Sequence, residues 1–239
     1  VNGVHALRWQ ERQNATVWVT EGFFDDYVCG ASFLGKSKDR FWALTAAHCV
    51  VDVPRSKLSV GFGEQSLSSN NVRITPERVF VHPGYGGPEG PHDLALLRFR
   101  NRPPNSTKSV LGVDSPGVGL EVWLVGHGER KRRPSECVLE GQNCPAPSEI
   151  LLRAKTQTIG RTQCQNTHRN VHVRQFCVRD VDPWKQGACG LDGGAPLYRM
   201  NGRVAGIASY TVSNCRPNKP QVYTDVAQYQ GWIKSVSGL

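Results

Sequence analysis

The chain has 239 residues, of which 38% are hydrophobic and 21% charged, enough apolar material for a buried core of one large β domain or two small domains. No low-complexity tract indicates disorder, and no apolar run approaches the roughly 18 residues of a membrane helix, so no membrane association is expected. Lysine and arginine outnumber acidic residues by 29 to 20, giving a net charge of +9. The first residues lack the basic start and apolar stretch of a signal peptide, so we expect a mature, secreted form.

Short β-rich runs recur along the chain, separated by Gly, Pro, Asn and Ser, which favours an all-β barrel or sandwich. Strands are predicted at 15–19, 57–62, 78–82, 94–99, 121–125, 151–159, 204–209 and 221–224. The turn-rich segment 102–106 predicts a connection between two β halves, at about 1–105 and 106–239. Apolar residues at helical spacing after Asp225, an N-cap type, predict a terminal helix over 225–233.

The chain has eight cysteines and no C-x-x-C pair, which favours disulfides in an oxidising compartment over a zinc ribbon. We therefore expect no metal and no other cofactor. Two sequons, at Asn14 and Asn105, are candidate glycosylation sites of a secreted protein, although such short motifs also arise by chance.

A basic run stands out in the second half, formed by Arg130, Lys131, Arg132 and Arg133. It is either a patch that binds polyanions such as heparin-like glycans or a solvated loop. No aromatic residue interleaves with these bases, so nucleic acid is not expected as a partner.

Four motifs carry the chemistry, and their order and spacing matter more than any one of them. They are Leu-Thr-Ala-Ala-His-Cys at 44–49, His-Asp-Leu-Ala-Leu-Leu at 92–97, Cys-Gly-Leu-Asp-Gly-Gly-Ala-Pro-Leu at 189–197 and Val-Tyr-Thr-Asp-Val at 222–226. Together they make the whole chain resemble the chymotrypsin/trypsin-like serine proteases. The resemblance implies a single trypsin-like domain, 1–239, made of two packed six-stranded antiparallel β-barrels with a C-terminal α-helix and a cleft between the barrels.

The resemblance also assigns roles to three residues. His48 matches the general base, Asp93 the buried carboxylate that fixes its tautomer, and Ser209 the serine that hydrogen-bonds this aspartate.

The third motif departs from the family's Gly-Asp-Ser-Gly-Gly-Pro at the position of the nucleophile. Gly193 stands where the family has serine, so no alkoxide and no acyl-enzyme could form there. Leu191 replaces a glycine whose N–H belongs to the oxyanion hole, and we expect its intolerance of positive φ to turn that peptide away. Asp192 is retained, and Val1 is its candidate partner through the N-terminal amine.

By register from Gly193, the specificity pocket would have Gly187 near its base, where trypsin-like enzymes carry aspartate. Ser209, Thr211 and Gln221 would line it, and the last two should fill it. Matching neighbours implies three family disulfides, and a local fourth one is the simplest proposal for the remaining pair. The pairings are Cys29–Cys49, Cys164–Cys177, Cys189–Cys215 and Cys137–Cys144.

The expected protein is thus a secreted, non-catalytic serine protease homologue that binds extracellular proteins, such as a protease, zymogen or inhibitor, as an adaptor, decoy or cofactor. Its Asp-Gly-Gly-Ala-Pro form resembles invertebrate homologues of melanisation and immune cascades. Two alternatives stay open: a basic glycan- or microbe-binding defence protein, similar to inactive granule protease homologues, and a protease with residual or unorthodox activity.

Overall fold

The computed structural model of the chain describes residues 3–22, 24–69, 72–131, 145–181, 188–211 and 219–239. These residues are mostly β, arranged in two larger sheets and one small hairpin. The strands are β1 Val4–His5, β2 Asn14–Glu21, β3 Phe24–Ser37, β4 Arg40–Thr45, β5 Leu58–Phe62, β6 Arg78–Val81, β7 Ala95–Phe99, β8 Val110–Leu111, β9 Glu121–Gly126, β10 Glu129–Lys131, β11 Pro145–Pro147, β12 Leu152–Ile159, β13 Gln175–Asp180, β14 Pro196–Arg199, β15 Arg203–Thr211 and β16 Gln221–Asp225. The helices are α1 Arg8–Gln13, α2 Arg161–Gln165 and α3 Gln230–Ser237, with 3-10 turns at Ala47–Cys49, Arg55–Lys57 and Val226–Tyr229.

The first sheet has six antiparallel strands in the order β5-β2-β3-β4-β7-β6. Its inner face buries β-branched and aromatic side chains such as Val17, Phe33, Phe62 and Phe99. Phe62 packs edge to face against both Phe33 and Phe99, at ring-centroid distances of 5.7 and 5.3 Å. This aromatic stack joins β3, β5 and β7 into one core.

The second sheet closes on itself, because β9 pairs with both β12 and β14. Its six-stranded ring runs β9-β12-β13-β16-β15-β14, all antiparallel. Two short strands extend it beyond the six that were predicted: β1 pairs with β12, and β8 pairs in parallel with β15. The N-terminal β1 therefore pairs within the second sheet although its chain continues into the first.

The chain ends in a helix, as the sequence predicted. Asp225 caps it, since its carboxylate accepts a hydrogen bond from the Ala227 N–H at 3.1 Å. A 3-10 turn comes first and α3 follows, so the helix is longer than predicted. Its buried residues Tyr229 and Ile233 belong to the same hydrophobic cluster as the first sheet's core, which ties the C-terminus back to the opposite half.

Among the described residues no helix is long and apolar enough to cross a membrane.

Candidate functional site

The residues assigned roles by the sequence meet between the two sheets, each placed by the end or an irregularity of a strand. His48 lies in the 3-10 turn after β4, and Asp93 lies just before β7. Gly193 precedes β14, and its carbonyl accepts a hydrogen bond from the Gly30 N–H of the first sheet at 2.8 Å. Ser209 sits at an irregularity of the β15–β16 register, where a bulge redirects a side chain. Both sheets thus contribute to one site.

Asp93 organises the site and is fully buried. One carboxylate oxygen accepts the His48 backbone N–H at 2.9 Å, and the other accepts His48 Nδ1–H at 2.8 Å and Ser209 Oγ–H at 2.6 Å. The Thr224 hydroxyl also donates to the Asp93 carbonyl at 3.0 Å. Because Nδ1 donates to the carboxylate, the neutral ring presents an unprotonated Nε2 to the cleft. The arrangement is that of a base held by a carboxylate.

The free nitrogen of His48 faces Gly193 and not a hydroxyl. A Cβ built on Gly193 would lie 2.4 Å from His48 Nε2 and 2.9 Å from Cε1. Such separations are far below van der Waals contact, so the ring fills the space in which any side chain at 193 would begin. The neighbours of Nε2 among the described residues are the sulfurs of Cys29 at 3.9 Å and Cys49 at 3.5 Å. No described hydroxyl is in hydrogen-bond range of this nitrogen.

Leu191 adopts the conformation that we expected it to avoid. Its φ is +66°, so the expectation that leucine would avoid a positive φ here is wrong, whereas the direction of its N–H stays a prediction. The left-handed conformation costs a leucine about 1–2 kcal/mol, and two contacts offset this cost. The Tyr27 hydroxyl donates to the Leu191 carbonyl at 3.0 Å, and the leucine side chain packs against a small cluster that contains Trp18 and Tyr27. Burial raises the pKa of Tyr27 well above its usual value, so the donor stays protonated.

Asp192 points into the interior and is held by backbone. Its carboxylate accepts the Gly128 N–H and the Cys189 N–H, both at 2.9 Å, and burial raises its pKa. Sequence reasoning missed Gly126 and Gly128, where a Cβ would lie 2.4 and 2.0 Å from the carboxylate oxygens. The sequence Gly-His-Gly at 126–128 was the feature that could have indicated these two glycines. Val1, the proposed partner of Asp192, lies outside the described residues.

A pocket of about 190 Å³ opens on one side of His48. Ser209, Thr211 and Gln221 all line it, as the register implied. Gln221 is buried and spans two neighbours: its carbonyl accepts the Ala188 N–H at 2.9 Å and its amide donates to Asp180 at 3.0 Å. Residues 182–187 and 212–218 lie outside the described residues, so the expectation that Thr211 and Gln221 fill the pocket stays a prediction. Gly187 lies outside the described residues.

A second, larger hollow of about 470 Å³ opens on the other side of His48 and Gly193. Its floor is apolar, with Val19, Val28 and Val53 among the lining residues, and its rim carries the exposed carboxylates of Glu21 and Asp26. Nothing in the motifs pointed to these acids, because they reach the site only through the pairing of β2 with β3. The cleft is therefore open on both sides of the histidine.

Two of the implied disulfides are present, Cys29–Cys49 and Cys164–Cys177, with Cα–Cα distances of 6.1 Å each. Cys189 is disulfide-bonded, while Cys215 lies outside the described residues, as do Cys137 and Cys144. Cys29, His48 and Cys49 bring ligand-type atoms together, but the two sulfurs are oxidised to a disulfide and offer no thiolate to a metal.

The remaining sequence predictions concern the surface. Asn14 is buried in β2, so a glycan at this position is incompatible with the fold, and the prediction for Asn14 is wrong. Asn105 is exposed and stays a prediction. Arg130 and Lys131 end strand β10, whereas Arg132 and Arg133 lie outside the described residues, so the polyanion patch also stays a prediction.

Comparisons with known proteins agree with this geometry. The profile of the trypsin family matches residues 2–233, and the chain belongs to this family. The chain is 29% identical over 215 residues to serine protease SP24D of Anopheles gambiae, covering 87% of this chain and 71% of that protein. It is 26% identical over 216 residues to trypsin of Sus scrofa, covering 87% and 84%.

A solved structure confirms the trypsin-like fold. Neuropsin, a serine protease expressed in the limbic system of mouse brain, superposes with a TM-score of 0.78 at 27% identity, covering 98% of both chains. The relatives named here are proteases, and disulfides such as those of this chain fit an extracellular protein.

Proposed function

We propose that this chain is a secreted, non-catalytic member of the trypsin family that acts by binding other extracellular proteins through its cleft. The observation that carries the proposal is the contact between His48 and Gly193. A serine protease needs a hydroxyl within hydrogen-bond reach of the histidine, and here the ring itself occupies that volume. Loss of the serine nucleophile costs other serine proteases roughly a million-fold in turnover.

The rest of the cleft supports a role in binding. Hollows of about 190 and 470 Å³ lie on opposite sides of His48, so an extended polypeptide has room on both sides of the position where a scissile bond would lie. The acidic rim of the larger hollow, Glu21 and Asp26, favours a partner segment with a basic side chain there. A protease, zymogen or inhibitor that presents an exposed loop would fit this cleft.

The test combines turnover with capture. The purified chain should leave a broad peptide library uncut, yet capture a protease, zymogen or inhibitor from native extracellular fluid, identified by mass spectrometry. Changing Glu21→Arg and Asp26→Arg should abolish the capture, since both side chains are exposed and the fold should tolerate their replacement. A control with Asp114→Arg and Glu121→Arg makes the same change of charge in exposed residues away from the cleft and should capture normally. Cleavage of the library, or capture that both variants retain, would contradict the proposal.

A further inference from the structure

A cluster of four arginines covers part of the outer face of the first sheet, away from the cleft. Arg40 lies on β4, Arg98 on β7 and Arg78 on β6, with Arg100 just after β7. The three strands are neighbours in the sheet at a spacing of about 4.8 Å, and Arg40 lies two residues from Trp42, the β4 partner of Arg98. Arg78 and Arg98 are direct cross-strand partners. We call these four residues the arginine cluster.

The arginine cluster has more positive charge than its surroundings neutralise. Arg40, Arg98 and Arg100 all contact the carboxylate of Glu77, at 2.9, 3.1 and 3.2 Å. Among the described residues Arg78 has no ion pair. Within the described part of the chain, one carboxylate therefore pairs with three of the four guanidinium groups and leaves Arg78 without an ion pair, and the chain as a whole carries an excess of positive charge. Like charges directly opposite each other across two strands are unfavourable, and an external anion would relieve the repulsion.

The shape of this surface favours a flexible polyanion over a folded or stacking partner. Arg78 and Arg98 lie over the Phe80 ring, with guanidinium carbons 4.8 and 5.6 Å from its centroid. The aromatic surface that could stack on a nucleic-acid base is thereby covered. A group of planar guanidinium groups suits anionic oxygen atoms, which arginine binds in a bidentate manner.

We propose that the arginine cluster is a binding site for sulfated glycans. Such glycans are extracellular polyanions, in keeping with the compartment that the disulfides of this chain require. The site is separate from the basic run at 130–133 and does not depend on whether the cleft is catalytic.

The experiment measures the affinity of the intact chain for heparin as a function of salt. Changing Arg78→Gln and Arg100→Gln should raise Kd roughly tenfold at physiological salt and lower the slope of log K against log salt by about two. These two side chains are exposed, so the fold should persist, which thermal unfolding checks. The matched control, Arg8→Gln with Arg169→Gln, removes two exposed arginines elsewhere and should stay within about twofold of the native chain.

Two further experiments test whether the guanidinium groups themselves matter or only their positive charge. Replacing Arg78→Lys and Arg100→Lys keeps the charge but loses the planar fork, and should still weaken heparin binding measurably. Dextran sulfate should displace heparin, whereas polyglutamate of matched charge should not.

Three outcomes would overturn the proposal. In the first, the arginine-to-glutamine variant binds heparin like its control. In the second, replacing residues 130–133 with glutamine alone abolishes binding. In the third, polyglutamate competes as well as dextran sulfate does, which would assign the arginine cluster to acidic proteins.

Discussion

At the scale of single residues, the ring of His48 occupies the space next to Gly193. In an active serine protease the side chain of the nucleophile would lie in that space. The Nδ1–H of His48 donates a hydrogen bond to the Asp93 carboxylate, which also accepts one from the Ser209 hydroxyl. A buried carboxylate with three hydrogen bonds keeps its position whether or not the histidine acts on a hydroxyl. The hydrogen bonds that orient the histidine are thus retained as structure in the proposed binding protein.

Restoring the serine alone should not restore activity. In Gly193→Ser the new Cβ would begin 2.4 Å from His48 Nε2, so the ring must move and weaken its bond to Asp93. Losing the carboxylate that fixes the tautomer of the histidine costs a serine protease about ten-thousand-fold even when the geometry is intact, and a displaced ring should cost no less. We expect a kcat/KM at most about one ten-thousandth of that of porcine trypsin, measured on a broad peptide library.

The matched control for this revertant is Gly193→Ala, which adds the same Cβ without the hydroxyl. Both variants should lose a similar stability, of about 1–3 kcal/mol in urea unfolding, because both overpack the same space. A Gly193→Ser variant within tenfold of trypsin would mean that His48 yields its position at little cost.

At the scale of the elements, sequence patterns predicted strands where β-branched residues alternate, as in β2, β12 and β16. They missed β3, because its Cys-Gly-Ala centre and Gly35 lack β-forming side chains. Packing between the two halves requires glycine at position 30, because a Cβ there would lie 2.7 Å from Ala195 in the other half. A pattern within one segment cannot reveal a constraint imposed by a residue so distant in the chain.

The candidate site likewise combines features that the sequence predicts with features that depend on residues distant in the chain. The resemblance of the four motifs to the serine proteases implied which residues meet at the site. The φ of Leu191 could not be predicted, because its support comes from Tyr27, 164 residues earlier. The acidic rim at Glu21 and Asp26 likewise depends on a hairpin that no motif marks.

The cap of the terminal helix gives a test at this scale. In Asp225→Ala the Ala227 N–H loses its acceptor, which should lower the free energy of unfolding by about 1 kcal/mol. Asp225→Asn keeps a side-chain oxygen at the same place and should lose clearly less. Urea unfolding of the three proteins makes the comparison, and equal losses for Ala and Asn would show that the cap contributes nothing.

At the scale of the whole molecule, the two sheets are joined by buried polar groups as well as by apolar packing. His127 follows β9 of the second sheet, and its ring packs edge to face against Tyr27 of the first at 5.7 Å. Its Nδ1–H donates to the Ser148 carbonyl at 2.9 Å, and Nε2 has no partner among the described residues. Burial lowers the pKa of His127 to about 4.

Because of His127, the stability of the contact between the two sheets should fall at low pH. Its folded pKa lies below its unfolded pKa, so its contribution to stability is complete above about pH 6.5 and is lost as the pH falls toward 4. The difference between the two pKa values corresponds to about 3 kcal/mol. Relative to His127→Gln, which cannot be protonated, the native chain should lose up to about that amount between pH 6.5 and 4.

Urea unfolding at a series of pH values measures this difference, and the other histidines cancel because both proteins retain them. His5→Gln, a change at an exposed position, is the control and should follow the native chain throughout. Parallel stability curves for the native chain and His127→Gln would show that His127 is not the group responsible.

The central claim is that no serine in this cleft is activated as a nucleophile, and covalent labelling tests it most directly. The native chain and porcine trypsin are treated with a fluorophosphonate probe, which reacts with activated serines, and the labelled sites are located by mass spectrometry. The account predicts stoichiometric labelling of trypsin and none at any serine of this chain. Stoichiometric labelling of a serine in this chain would contradict the account.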